Sequence, residues 1–179
     1  MRRLLHGRVP ARGHRGQGQR QVRPRGRAAA GAGLAHRRDV TPELPLTGGC
    51  GCGAVRFEVT EPLASANYCH CTRCQRRTGT GASANARPAP GSFRLLSGEE
   101  ELRAWKPAGG WEKWFCGGCG SALFSRHPED PERMSIRLGA FDGDPGIRPG
   151  VRQFTAYAAE WEQIPDDGLP RHPESAHSD

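Results

Sequence analysis

Seven cysteines at uneven spacing are the residues of this sequence best suited to chemistry. They form three groups: C-x-C at Cys50 and Cys52, C-x-C-x2-C at Cys69, Cys71 and Cys74, and C-x2-C at Cys116 and Cys119. Thiolates this close together are zinc ligands. A structural zinc closes its tetrahedron with four protein ligands, and a catalytic zinc keeps one position open. Seven sulfurs divide naturally into four and three. In "CGGCG" two intervening residues let Cys116 and Cys119 reach one ion, and the glycines permit the turn. In "GGCGCG" the i, i+2 spacing puts Cys50 and Cys52 on one face of an extended chain. Together these pairs predict a closed four-thiolate zinc, preferred over a disulfide or buried thiols. Such a site contributes on the order of 10 kcal/mol of folding free energy.

The middle group, Cys69, Cys71 and Cys74, predicts a second zinc with three thiolates and an open position. His70 is the obvious fourth ligand, but an extended chain points it away from Cys69 and Cys71. The open position suits a substrate thiol, which the metal would hold as a thiolate nucleophile. In "TRCQRRTG" three arginines, Arg73, Arg76 and Arg77, flank the site. They could hold the carboxylates of an acidic thiol, or form only a solvated basic face. Tyr68 is a candidate donor to a developing oxyanion. Trp105, Trp111, Trp114 and Trp161 could line a cleft, although at least two are expected in the core. Asp142 reads as a ligand-orienting or turn residue.

The elements that must position these groups are short. "GAVRFEVTEP" alternates Val55, Phe57 and Val59 against Arg56, Glu58 and Thr60, which reads as a half-buried strand. Further strands are expected in "GASANARPAP", "SFRLL", "WEKWFC" and "RMSIRLG", with another short element through Leu102 and Trp105, and "SALFSRHPED" continues outward from the last cysteine pair. The segment "VRQFTAYAAEW" reads as strand or short helix, and no long helix is expected. With 25 glycines, 15 prolines and 35% hydrophobic residues in 179, the core is small and metal staples are useful.

The net charge of +7 is unevenly placed. Residues 1–43 hold 11 arginines and two acids, a net +9, while residues 44–179 are near neutral at −2. The first stretch reads as a disordered Arg-rich extension. A nucleic-acid arm and a transit peptide are alternatives, and a non-functional extension fits best. Residues 44–170 are the expected zinc-binding domain and 171–179 a flexible tail. A near-neutral domain argues against nucleic acid as a partner. No apolar run is long enough for a membrane span or a secretion signal, so a cytoplasmic setting with reduced thiols is expected.

The three cysteine groups, with their flanks and order, resemble the glutathione-dependent formaldehyde-activating enzyme family, which also contains centromere protein V. The segments carrying the resemblance are Gly48–Val59, Cys69–Gly79, Phe115–Phe124, Leu138–Asp142 and Trp161. It spans roughly residues 46–170. Arg152 stands where many members have a histidine. The resemblance implies a mainly β fold of small stacked antiparallel sheets, called the beta-tent. It implies structural zinc at Cys50, Cys52, Cys116 and Cys119, and a second zinc at Cys69, Cys71 and Cys74. It further implies a carbon–sulfur lyase-type activity that joins glutathione to formaldehyde. A non-catalytic zinc module that carries a thiol, or binds a macromolecular partner, is the alternative.

Overall fold

The computed structural model describes residues 41–176, so the expected disorder of residues 1–40 lies outside the described residues. The described residues are mainly β, with ten strands in two sheets and one α-helix. The smaller sheet contains β1 (Leu46–Gly49), β2 (Arg56–Val59) and β5 (Phe93–Ser97), in the order β1-β2-β5 and antiparallel throughout. The larger sheet contains β3 (Ser65–Cys69), β4 (Ser83–Arg87), β6 (Leu102–Trp105), β7 (Glu112–Cys116), β8 (Ala122–Arg126), β9 (Met134–Arg137) and β10 (Arg152–Gln153). Its order is β10-β3-β4-β9-β8-β7-β6, antiparallel except where β10 runs parallel to β3.

Side-chain alternation decides what each sheet does. On β2, Phe57 and Val59 are fully buried while Arg56 and Glu58 are not. Phe57 meets Phe93 of β5 at 5.5 Å between ring centroids, and Phe93 meets Phe124 of β8 at 5.2 Å. This aromatic chain runs from the small sheet to the large one. Ile136 and Ala86, both at 0% exposure, add the apolar face of β9 and β4. Each buried phenylalanine or isoleucine contributes about 1.5–3 kcal/mol. Gly48 is needed where β1 crosses this core: a Cβ there would sit 2.4 Å from the Ala140 carbonyl and from the Phe57 ring.

Asp142 fixes the edge of the small sheet. Its carboxylate accepts from Thr47 Oγ1 at 2.6 Å and pairs with the Arg56 guanidinium, which holds its carboxyl below the ordinary aspartate value. A depressed folded-state pKa means the stabilisation is present above the unfolded value near 4 and lost as pH falls below it. The pair is substantially solvent-exposed, so its contribution is under about 1 kcal/mol. We expect Asp142→Asn to lower urea stability slightly at pH 7 and to lie closer to the parent at pH 3. An equal loss at both pH values would show that the charge is irrelevant.

Two stretches differ from the sequence reading, and one that it leaves unassigned is a helix. The segment after Cys71 forms α1 (Thr72–Thr78). Cys71 caps it, its Sγ accepting from the Cys74 amide, and Gly79 closes it in the left-handed region at φ 69°. Seven residues make a marginal helix alone. This one is held from outside: Arg73 donates to the carbonyls of Ala108 and Gly109, and Arg77 to that of Trp114. Leu138 leaves β9 for a 3-10 turn at Leu138–Ala140. Finally, residues 170–176, most of which were expected to fray, run against the chain at 152–156. Arg152 donates to Pro170, His172 to Arg152, Thr155 to His172 and Phe154 to Glu174, all through backbone groups.

Candidate metal centres and the cavity beside them

The seven sulfurs gather in two places. Cys50 and Cys52 lie in the turn between β1 and β2, Cys116 ends β7, and Cys119 lies in the turn to β8. Their four sulfurs are all within 4.8 Å of one another, with Cys50–Cys52 at 3.4 Å and Cys52–Cys116 at 3.8 Å. Zinc–sulfur bonds of about 2.3 Å give a tetrahedron with edges of about 3.8 Å, so this donor set fits that ion. Backbone donors already point at the cluster, as where the Val55 amide donates to Cys50 Sγ at 3.2 Å. Gly53 and Gly120, at φ 80° and 76°, turn the chain back after each pair. The cluster bridges the small sheet to the large one. Cys50 and Cys116 are buried, Cys52 and Cys119 exposed, and no disulfide joins any cysteine.

Cys69 ends β3, Cys71 caps α1, and Cys74 lies in the first turn of α1. Their three sulfurs are also within 4.8 Å of one another. Cys69 and Cys74 are buried and Cys71 is half-buried. Hydrogen bonds from its neighbours Cys69 and Cys74 pull the Cys71 thiol down to about 2, while Cys69 is driven up by the same contacts. Without a cation, then, the three sulfurs share charge unevenly, and a bound metal cation would remove that conflict. This donor set too fits zinc, with three ligands. His70 stays outside it. The strand alternation that brings Asn67 and Cys69 to one face puts Tyr68 and His70 on the other. There His70 Nε2 lies 3.4 Å from an Arg152 nitrogen, in a separate cavity of about 210 Å³. Tyr68 stacks under Arg152 at 4.5 Å, so it does not reach the trio's side.

The trio opens into a cavity of about 390 Å³. Its floor is the polar face of the large sheet, with Asn67, Asn85, Ser125, Ser135 and Arg137 side by side from four strands. Arg137 is buried. It donates to Asn85 Oδ1 and, at 3.0 Å, to Ser125 Oγ, and its Nε has no partner among the described residues. Asn85 Nδ2 reaches Asn67 Oδ1 at 3.4 Å, and Gln153 Nε2 reaches the same oxygen at 3.3 Å. Burial lowers the pKa of both Arg137 and Lys113, and the nearby cysteine sulfurs act against that shift. Five cationic side chains line the cavity, Arg73, Arg87, Lys113, Arg133 and Arg137, and no carboxylate does among the described residues. Such a space concentrates anions.

Of the three arginines singled out from the sequence, only Arg73 lines this cavity. Arg76 is exposed, and Arg77 lies over the Phe115 ring at 4.8 Å. Trp111 lines the cavity and Trp114 packs on Phe124 in the core. Trp105 and Trp161 are exposed, so one tryptophan rather than two serves the core. Lys113, Arg137 and the asparagines were missed. Their signal was the polar half of each alternating strand, in "SANYC", "SANAR", "EKWFC" and "MSIR".

These sulfurs and their flanks are those of a known group. The sequence model of the family described as "Glutathione-dependent formaldehyde-activating enzyme" matches residues 45–157. The chain belongs to the glutathione-dependent formaldehyde-activating enzyme family. A curated member from Halomonas elongata, named "Putative glutathione-dependent formaldehyde-activating enzyme", is 31% identical over 126 residues, covering 66% of this chain and 80% of that one. A crystal structure of a Rhodobacter sphaeroides protein is 32% identical, with a TM-score of 0.44, and covers 58% of this chain and 92% of that one. The family's name describes an enzyme, and its match spans both cysteine clusters and every strand among the described residues.

Proposed function

We propose that this protein catalyses the reversible addition of a glutathione-like thiol to an aldehyde such as formaldehyde, a carbon–sulfur lyase reaction when run backwards. In this reading Cys69, Cys71 and Cys74 hold the catalytic zinc, and Cys50, Cys52, Cys116 and Cys119 hold a structural one. The observation that carries it is the three-sulfur cluster opening into a cavity that the described residues line with five cations and no acid. Zinc bound to the trio would supply positive charge and an open coordination position at the cavity end.

The chain's own residues do the rest. The sulfur electron pair forms a bond to the aldehyde carbon, the carbonyl π pair moves to oxygen, and that oxygen takes a proton. Negative charge thus passes from sulfur to oxygen within the cavity. Lys113 and Arg137 stabilise it at both positions, because they line the same cavity and interact electrostatically with the trio. Preorganised cations in a partly dry site are worth more than in water. Arg137 is held by Asn85 and Ser125 and loses little freedom when charge develops. Seven free thiols suit a reducing compartment, and we place the reaction in the cytoplasm. No helix of the described residues is long and apolar enough to cross a membrane.

The adduct also forms without a catalyst, so the test is exchange at equilibrium. Magnetisation transfer between formaldehyde hydrate and S-hydroxymethylglutathione should speed up on adding catalytic amounts of protein. Chelation should return it to the background rate. Binding of glutathione without faster exchange would instead favour a thiol carrier. Lys113→Met is expected to slow the catalysed exchange about 100-fold, and an unchanged rate would remove Lys113 from the account.

A further inference from the structure

The polar floor of the cavity fixes which way one of its amides points. Arg137 has only donors, so the Asn85 atom that faces it is Oδ1. That turns Asn85 Nδ2 toward the Ser83 carbonyl, at 2.9 Å, and toward Asn67, at 3.4 Å. A second chain of bonds arrives from the other side. The Ala176 amide donates to Gln153 Oε1 at 3.2 Å, which leaves Gln153 Nε2 facing Asn67 at 3.3 Å. Both neighbours therefore present NH2 groups, and Asn67 meets them with Oδ1. The flipped amide would set its own NH2 against two donors. Asn67 Nδ2 is left with no partner among the described residues. Asn67 is only 4% exposed, and the space it borders is the cavity. A buried amide donor without an acceptor is costly, and an oxygen placed in the cavity relieves it.

The place of that donor relates it to the trio. Asn67 and Cys69 share a face of β3 two residues apart, about 7 Å of strand. A carbon bonded to a sulfur at the trio's end, with its oxygen and one hydrogen bond of about 2.9 Å, bridges that interval. We propose that Asn67 is a catalytic residue whose Nδ2 donates to the aldehyde oxygen as that oxygen takes up charge. This rests on the reading of the trio as the reacting end. It adds the group that holds the oxygen, whereas Lys113 and Arg137 supply charge to the cavity at large. As the sulfur–carbon bond forms, the carbonyl π bond breaks and its electron pair goes to the oxygen beside Nδ2. The proton that the thiol gives up balances the one that the oxygen gains, and Asn67 keeps both of its own hydrogens. The amide chain strengthens this donor, because the Arg137 guanidinium polarises Asn85 and Asn85 polarises Asn67.

Nuclear magnetic resonance of the full-length, zinc-loaded, isotope-labelled protein tests the donor directly and needs no variant. The Asn67 side-chain NH2 signal, assigned through its own Cβ, should move downfield when S-hydroxymethylglutathione is formed from glutathione in excess formaldehyde. It should stay in place with S-ethylglutathione in the same formaldehyde solution, because that compound has the same shape with a methyl group for the hydroxyl. Asn67→Asp supplies the kinetic test. It keeps an acceptor for Asn85 and Gln153 and replaces only the donor, so it should melt within a few degrees of the parent. It should slow catalysed exchange about 100-fold at saturating glutathione and change the KM for glutathione less than about threefold. A carboxylate that acted only by cancelling cavity charge would raise that KM instead. That result overturns the assignment, as does an Asn67 signal that fails to distinguish the two compounds while the parent accelerates exchange. If the parent accelerates no exchange yet the signal distinguishes them, Asn67 stands as the donor to the oxygen and the reaction assigned to the trio falls.

Discussion

Cys116→Ser is expected to abolish the cooperative thermal unfolding of this protein. Cys116 is wholly buried at the end of β7 and belongs to the four-sulfur cluster that bridges the two sheets. A structural zinc contributes on the order of 10 kcal/mol or more of apparent folding free energy. Native domains retain only about 5–15 kcal/mol in total. Removing one thiolate therefore takes away most of what holds the small sheet to the large one. The aromatic chain Phe57–Phe93–Phe124 and the small apolar core around it remain, without the staple. Calorimetry should show a broad transition or none, and near-ultraviolet circular dichroism should lose its fine structure. A sharp transition within a few degrees of the parent would show that the cluster is not the staple.

The second large effect separates the two clusters. Cys71→Ser should reduce catalysed exchange to the background rate while leaving the fold in place. Cys71 is half-buried and caps α1 with a sulfur acceptor. Serine is a preferred residue at that position and keeps the cap. Its hydroxyl is a poor replacement for a thiolate ligand, because the soft sulfur donor is gone. The melting temperature should stay within a few degrees of the parent. Partial activity with intact zinc would indicate that the trio is not the reacting end. A collapse of stability like that of Cys116→Ser would show that the two clusters serve the same purpose.

Much of this architecture was legible because it is written in short-range patterns. The C-x-C and C-x2-C spacings, with glycine padding, marked which sulfurs could share an atom, and the structure gathers them in the same four and three. Val55, Phe57 and Val59 announced β2, and Met134 and Ile136 announced β9, by simple alternation. Helix α1 was hidden because its cap is a cysteine rather than the usual serine or aspartate. Its stability also comes from Arg73 and Arg77 reaching distant carbonyls.

The cavity floor was hidden for a different reason. Asn67, Asn85 and Arg137 look like solvent-facing positions of half-buried strands. Only the pairing of β3, β4 and β9, set by contacts up to 52 residues apart, turns that face into an enclosed polar surface. The docking of residues 170–176 is likewise a tertiary effect, made by backbone hydrogen bonds to a segment some 20 residues earlier. Arg76 and Arg77 were sequence neighbours of the trio, but the turn of α1 points them elsewhere. Arg87 and Arg133, far away in sequence, lie beside the cavity instead.

The division of sulfur between a closed cluster and an open one is the claim on which the remainder depends, and zinc content measures it most directly. Purified parent protein should carry two zinc ions per chain by elemental analysis, and Cys71→Ser one, with the fold retained. A single zinc in the parent, unchanged by Cys71→Ser, would contradict the account.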